Sequence, residues 1–226
     1  MNDVSRPCDT HLELVNFKYP LPRLKAALQQ QRSIKIVAIG SSSTAGVDSV
    51  LPFPPRLEML LRQKYPFRMI DVVNRGIGGQ EAPDELLRFQ SDVFDEEPVL
   101  VIWQVGTNAV YHDLDRAAVA AAIEVGLQWR FGYHADLVLM DLQYTQAMVD
   151  KLDAARDMVS RIAKAAEKAE VNVFKRFALM ERWVGDHIPI GELQDGDLHT
   201  GEWATNCITR AVFEAIMRAV APEGTT

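Results

Sequence analysis

Four short stretches of the 226-residue chain hold the side chains that could do chemistry. "GSSSTAG" (40–46) offers consecutive hydroxyls bracketed by glycines, and "NRGIGGQE" (74–81) offers flexible backbone amides. "GTN" (106–108) adds a carboxamide, and "QDGDLHTGEW" (194–203) adds carboxylates beside an imidazole. Together they supply a nucleophile, a base, an orienting acid and donors for a tetrahedral oxyanion, the set that acyl transfer requires. Other uses of the glycines fail on spacing. A phosphate-binding loop needs four residues between its glycines, then Lys and Ser or Thr; here five separate Gly40 from Gly46, and Val47 follows. The dinucleotide fingerprint belongs after the first strand, whereas Gly76-Ile77-Gly78 follows the second and Glu81 stands at its third glycine position. A Gly-x-Ser-x-Gly elbow is missing because Thr44 replaces its second glycine.

Something must hold these stretches together. Runs rich in Val and Ile at 34–39, 69–73, 98–105, 136–141 and 171–174 are apolar on both parities. That pattern reads as strands buried on both faces, as in a parallel sheet. Helical spacing fills the intervals at 53–65, 81–95, 115–130, 147–169 and 201–220, the first opening on a Pro-Pro pair. Strands alternating with helices make a three-layer α/β/α domain over residues 34–226. Residues 1–33 read as an N-terminal arm packed on it, with "PLPRLKAALQQQ" as a short outer helix. In such a sheet ligands bind beyond the carboxyl ends of the strands, and the first three reactive stretches each directly follow an apolar run.

Composition excludes several partners. A net charge of −7 with no basic run argues against nucleic acid, and the apolar stretches are too short to span a bilayer. Residues 1–17 lack the apolar centre of a signal peptide, which leaves an exported mature form and a cytoplasmic protein both open. The two cysteines, Cys8 and Cys207, make neither a disulfide framework nor a zinc site. They form one bridge, which would favour export, or remain two thiols.

In order and spacing, the four stretches resemble the SGNH (GDSL-type) hydrolases, and the first resembles the bacterial "GSSST" variant of that family. The resemblance implies a flavodoxin-like five-stranded parallel sheet and a serine esterase without metal or cofactor. It makes Ser42 the nucleophile and His199 the base, with the Ser42 and Gly79 N–H groups and the Asn108 carboxamide as the oxyanion hole. Two positions depart from the pattern. Ser41 replaces the aspartate before the nucleophile, and Gly196 stands where the acid belongs, flanked by Asp195 and Asp197. Either carboxylate could orient His199, or a backbone carbonyl could. Asp195 is the first choice because Gly196 would let an extra residue bulge. His11, His112 and His134 have no motif around them, and His187 is the only rival base. The expected substrate is a small-molecule or carbohydrate ester with a short acyl group. The alternatives are a thioesterase or lysophospholipase and a non-catalytic carbohydrate-binding or polysaccharide-modification module. Oligomeric state is not legible.

Overall fold

The computed structural model of the chain describes residues 6–47, 50–129 and 134–221; the outermost residues of the expected arm and domain lie outside that range. The chain runs through α1 (Leu12–Val15), α2 (Pro22–Gln30), β1 (Ser33–Gly40), α3 (Ser42–Ala45), α4 (Phe53–Lys64), β2 (Met69–Gly76) and α5 (Ala82–Leu86). It continues through β3 (Leu100–Gln104), α6 (Thr107–Tyr111), α7 (Arg116–Gln128), β4 (Asp136–Met140), α8 (Gln146–Val149), α9 (Leu152–Ala169) and β5 (Asn172–Phe174). The last elements are α10 (Arg176–Gly185), α11 (Ile190–Leu193), the strand pair β6 (Gln194–Asp195) and β7 (His199–Thr200), and α12 (Glu202–Val220).

Strands β1 to β5 form one parallel sheet in the order β2-β1-β3-β4-β5, as the apolar runs led us to expect. Their two parities feed two cores. Ile34, Ile36, Ala38, Leu100, Ile102, Val138 and Met140 pack on the side of α4 and α12. Val37, Ile39, Val101, Trp103 and Leu139 pack on the side of α7 and α9. The order reverses direction at β1, so β1 and β3 diverge in their connections and leave a crevice at their carboxyl ends.

Several elements differ from the sequence reading, three of them in the long helical stretches. The helix expected over 81–95 stops at Leu86 and resumes as a π turn at Gln90–Phe94. The one expected over 147–169 is divided into α8 and α9. Helix α10 was not anticipated: it buries Arg176 where the period calls for an apolar residue, and the guanidinium Nε donates to the Asp141 carbonyl at 3.0 Å.

The arm supplies core. Val15, Leu21 and Leu24 are at most 2% exposed and belong to the cluster built on α12. A disulfide joins Cys8 to Cys207 of α12, with 5.5 Å between Cα atoms. Around it, the indole N–H of Trp183 donates to the Asp9 carbonyl at 2.8 Å, and that of Trp203 to the Arg6 carbonyl at 2.9 Å. Trp203 thus anchors the arm.

Candidate active site

Strand β1 ends at Gly40 and the chain turns at once into the four-residue α3, with Ser41 extended at its N-cap and Ser42 at its first position. The turn sits flush on the sheet because its neighbours are glycines. A Cβ on Gly76 would lie 2.1 Å from the Ala45 nitrogen, and one on Gly40 would lie 2.5 Å from Thr44 Oγ1. Ser41 is buried, and both its N–H and its hydroxyl donate to Gln104 Oε1, at 3.0 and 2.9 Å. Ser42 is left facing outward, and its hydroxyl lies 3.0 Å from His199 Nε2. Ser43 turns to Gln143 Oε1 at 3.2 Å.

After β2 the chain makes a turn closed by the Gln80 N–H to the Ile77 carbonyl at 3.3 Å, with Gly79 at φ +81°, a conformation glycine adopts without a Cβ penalty. A Cβ on Gly78 would come 3.8 Å from that of Ser42, so this turn runs alongside the serine. The N–H groups of Ser42 and Gly79 have no acceptor among the described residues. Asn108, on α6 after β3, donates one Nδ2 hydrogen to the Gln80 carbonyl at 2.7 Å. A carbonyl can only accept, so the amide orientation is fixed and a second hydrogen remains available. Donors of this kind beside a serine–imidazole pair are the groups that nucleophilic acyl transfer uses.

The imidazole arrives on the β6–β7 hairpin. Asp195 and His199 are direct antiparallel partners, with residues 196–198 as the loop. Directly opposed residues share a face with Cβ atoms about 4.5–5.5 Å apart, which explains a spacing of four. No bulge is needed; the pairing is made by the hairpin, and Gly196, at φ +62°, opens its turn. The extended geometry that would have put Asp197 on the His199 face is absent, because Asp197 sits in the turn, where its carbonyl accepts from the Ala147 N–H at 2.9 Å. Burial holds the His199 pKa below its usual 6.5, and the charge of Asp195 opposes that fall. His199 is therefore neutral, and able to accept a proton, at neutral pH.

Several supports carry no local sequence signal. Gln143, after β4, accepts from Thr107 Oγ1 at 3.0 Å and donates to the Leu198 carbonyl at 3.0 Å, linking three site loops. Glu81 is buried and accepts the N–H groups of Gly106 and Ala109 at 2.8 and 3.0 Å. Arg88 grips the Gln80 side chain at 2.7 Å and the Arg75 carbonyl at 2.7 Å. Each acts across more of the chain than a short motif can encode; the Arg88 guanidinium also reaches the Gly40 carbonyl at 3.3 Å. His187 is exposed and lies outside this cluster, as do His11, His112 and His134; His11 is buried against Asp186, with 2.8 Å between Nε2 and Oδ2.

Ser42, Ser43, Gly46, Val47, Val50, Pro52, His199, Thr200 and Thr205 line a hollow of about 20 Å³, near the room one water needs. Larger hollows, of about 320 and 260 Å³, border the arm and the β5 edge and do not touch Ser42. Among the described residues no group of three or more His, Cys, Asp or Glu side chains could hold a metal ion, and no helix is long and apolar enough to cross a membrane.

Known proteins share this framework. A family model described as the Non-GDSL lipase-like family matches residues 7–222. That corrects the GDSL-type assignment made from the four motifs, together with its "GSSST" subset. The residue behind the correction is Ser41: the aspartate that gives the GDSL motif its name is replaced by a hydroxyl bound to the neutral Gln104. The "uncharacterized lipoprotein YqeF" of Bacillus subtilis is 37% identical over 75 residues, which is 32% of this chain and 31% of that protein. Among solved structures, a catalytic mutant of Axe2, an acetylxylan esterase from Geobacillus stearothermophilus, matches with a TM-score of 0.69 at 19% identity, covering 84% of this chain and 95% of that one. A two-domain esterase active on acetylated mannans matches with a TM-score of 0.76 at 16% identity, over 96% of this chain and 58% of that one. At these identities the structural likeness is one of fold.

Proposed function

The chain belongs to the Non-GDSL lipase-like family, and from that premise we propose that it is a serine ester hydrolase with Ser42 as nucleophile and His199 as its base. The observation that carries this reading is the 3.0 Å contact between Ser42 Oγ and His199 Nε2 at the carboxyl end of β1. His199 takes the hydroxyl proton as Ser42 attacks the ester carbonyl, then delivers it to the departing alcohol; water repeats the sequence on the acyl-enzyme. The Ser42 and Gly79 N–H groups and the second Asn108 Nδ2 hydrogen receive the oxyanion, each worth about 2.7–4 kcal/mol of barrier when well aimed. Asp195, across the hairpin, orients and supports the imidazolium.

The hollow beside Ser42 favours a short acyl group over the long chains of a lysophospholipase or thioesterase. The esterases of like fold act on acetylated xylan and mannan, so carbohydrate O-acetyl esters are the substrates to try first. The test is a fluorophosphonate with peptide mapping, alongside p-nitrophenyl esters of increasing acyl length. Ser42 alone among the three serines should be labelled, acetate should be the preferred acyl group, and Ser42→Ala should lose up to about six orders of magnitude in turnover. Label on Ser41 or Ser43, or an alanine variant as active as its parent, defeats the reading.

A further inference from the structure

Beneath the oxyanion side lies a pair of glutamates that the reaction above does not use. Glu81 and Glu85 are 2% and 0% exposed, one turn apart, the first at the N-cap of α5 and the second within it. Their surroundings differ sharply. Glu81 meets donors only: Oε1 accepts from Gly106 N at 2.8 Å and Ala82 N at 3.0 Å, and Oε2 from Ala109 N at 3.0 Å. Glu85 accepts at Oε2 from the Trp103 indole at 2.6 Å, while its Oε1 is buried with no partner. Two charges cannot be kept so close in a sealed site. Burial, then the charge on Glu81, raises the Glu85 pKa well above the usual carboxylate value. Burial also raises Glu81, but the N–H bonds from residues 106, 82, 109 and 108 pull it back. One negative charge fits the pair, and the donors fix it on Glu81.

That charge holds the segment carrying Asn108. Gly106 stands at φ +96° and Ala109 within α6, so the carboxylate clamps the backbone on both sides of Asn108. Residue 80, its chain neighbour, takes the Asn108 side chain through its carbonyl. Main chain and side chain of Asn108 are thus both fixed from one dipeptide, Gln80-Glu81. We infer that ionised Glu81 is a positioning residue for the oxyanion hole, setting the Asn108 amide through Gly106 and Ala109, while Glu85 is a neutral filler. The inference rests on the esterase reading and goes one layer beneath it.

Glutamine tests it because it preserves shape while changing one acceptor into a donor. In Glu81→Gln the new amide must face one of the three N–H groups, whereas Glu85→Gln replaces a group already uncharged. With p-nitrophenyl acetate, Glu81→Gln should lower kcat by about ten-fold or more with KM within about two-fold, since the loss falls on the transition state. Glu85→Gln should stay within about two-fold of the parent. In an Asn108→Ala background, Glu81→Gln should cost less than about three-fold more, because the two act through one amide. A parental kcat in Glu81→Gln, or losses that multiply fully with Asn108→Ala, overturns the inference. Carbon-13 NMR of the glutamate carboxyls in the unsubstituted protein decides it even if Glu81→Gln does not fold: ionised Glu81 with protonated Glu85 at neutral pH supports it, and protonated Glu81 ends it. A parent with no Ser42-dependent hydrolysis would be a failure of the esterase reading, which these outcomes keep separate.

Discussion

The serine and amide side of the site rests on side chains sealed from water, whereas the histidine rides on a hairpin of two-residue strands with an exposed tip. Gln104, Glu81 and Gln143 are each at most 2% exposed, and each ties its own segment to at least one other site loop: Gln104 at the end of β3 to Ser41, Glu81 to Gly106, and Gln143 to Thr107. Residues 195–197 of the hairpin are all exposed, and the bonds that reach it include Gln143 and Thr145 to the Leu198 carbonyl, the Ala147 N–H to the Asp197 carbonyl, and the Gln146 N–H to Gln194 Oε1. The donors must already stand where charge develops, because reorganising them during the reaction would cost what they supply. In the mechanism proposed above, the base only has to reach its partner, and Asp195 across the hairpin from His199 is the group that would aim it.

That contrast orders the expected losses. Asn108→Ala should cost about 10²–10³ in kcat with little change in KM, as for loss of one oxyanion donor. An effect below about ten-fold would mean that the sealed side does not carry the charge. Asp195→Asn comes next, at about ten- to a hundred-fold, well short of the about 10⁴ seen when a buried triad acid is replaced. It also carries a signature. Activity needs neutral His199, so kcat/KM should fall as pH drops through a value below 6.5. Asp195 is the influence raising that value, so its loss should move the limb to still lower pH. A shift upward, or none, would remove Asp195 from the site. Asp197→Asn should leave both rate and limb unchanged, and a larger effect than at 195 would reverse the assignment.

A comparably small effect on turnover belongs to the bridge. Cys8→Ser with Cys207→Ala should leave kcat within about two-fold of the parent, since the cysteines touch no site residue. It should still lower stability by about 2–5 kcal/mol, read by denaturant unfolding, because the bond closes a very long loop. Loss of activity at unchanged stability would place the arm in the site rather than under it.

The legible parts of this molecule are those written in consecutive residues. Runs such as "IKIVAI" announce a doubly buried strand, and the glycines and serines after it announce a turn. Ser42, Asn108 and His199 could be named because each lies in a stretch of its own kind. Gln143 and Glu81 could not: a lone amide or carboxylate gains its meaning from partners 36 to 100 and 25 to 28 residues away. The β6–β7 pair escaped because two-residue strands are too short to alternate. Its absence from the sequence reading left the choice between Asp195, Asp197 and a backbone carbonyl open.

The separation of 199 residues between the bridged cysteines also fixes an order of events during synthesis. All five strands of the sheet are complete by Phe174, so pairing can begin while Cys8 still has nothing to bond. The arm, made before the sheet, is therefore among the last pieces secured: Val15, Leu21 and Leu24 gain their full packing only once α12 joins their cluster. His199 lies just upstream of Cys207, so the imidazole meets Ser42 and the chain's first turns find their anchor within the same few residues of growth. A nascent chain halted before that point holds the serine, the amides and the sheet, but neither the base nor the staple.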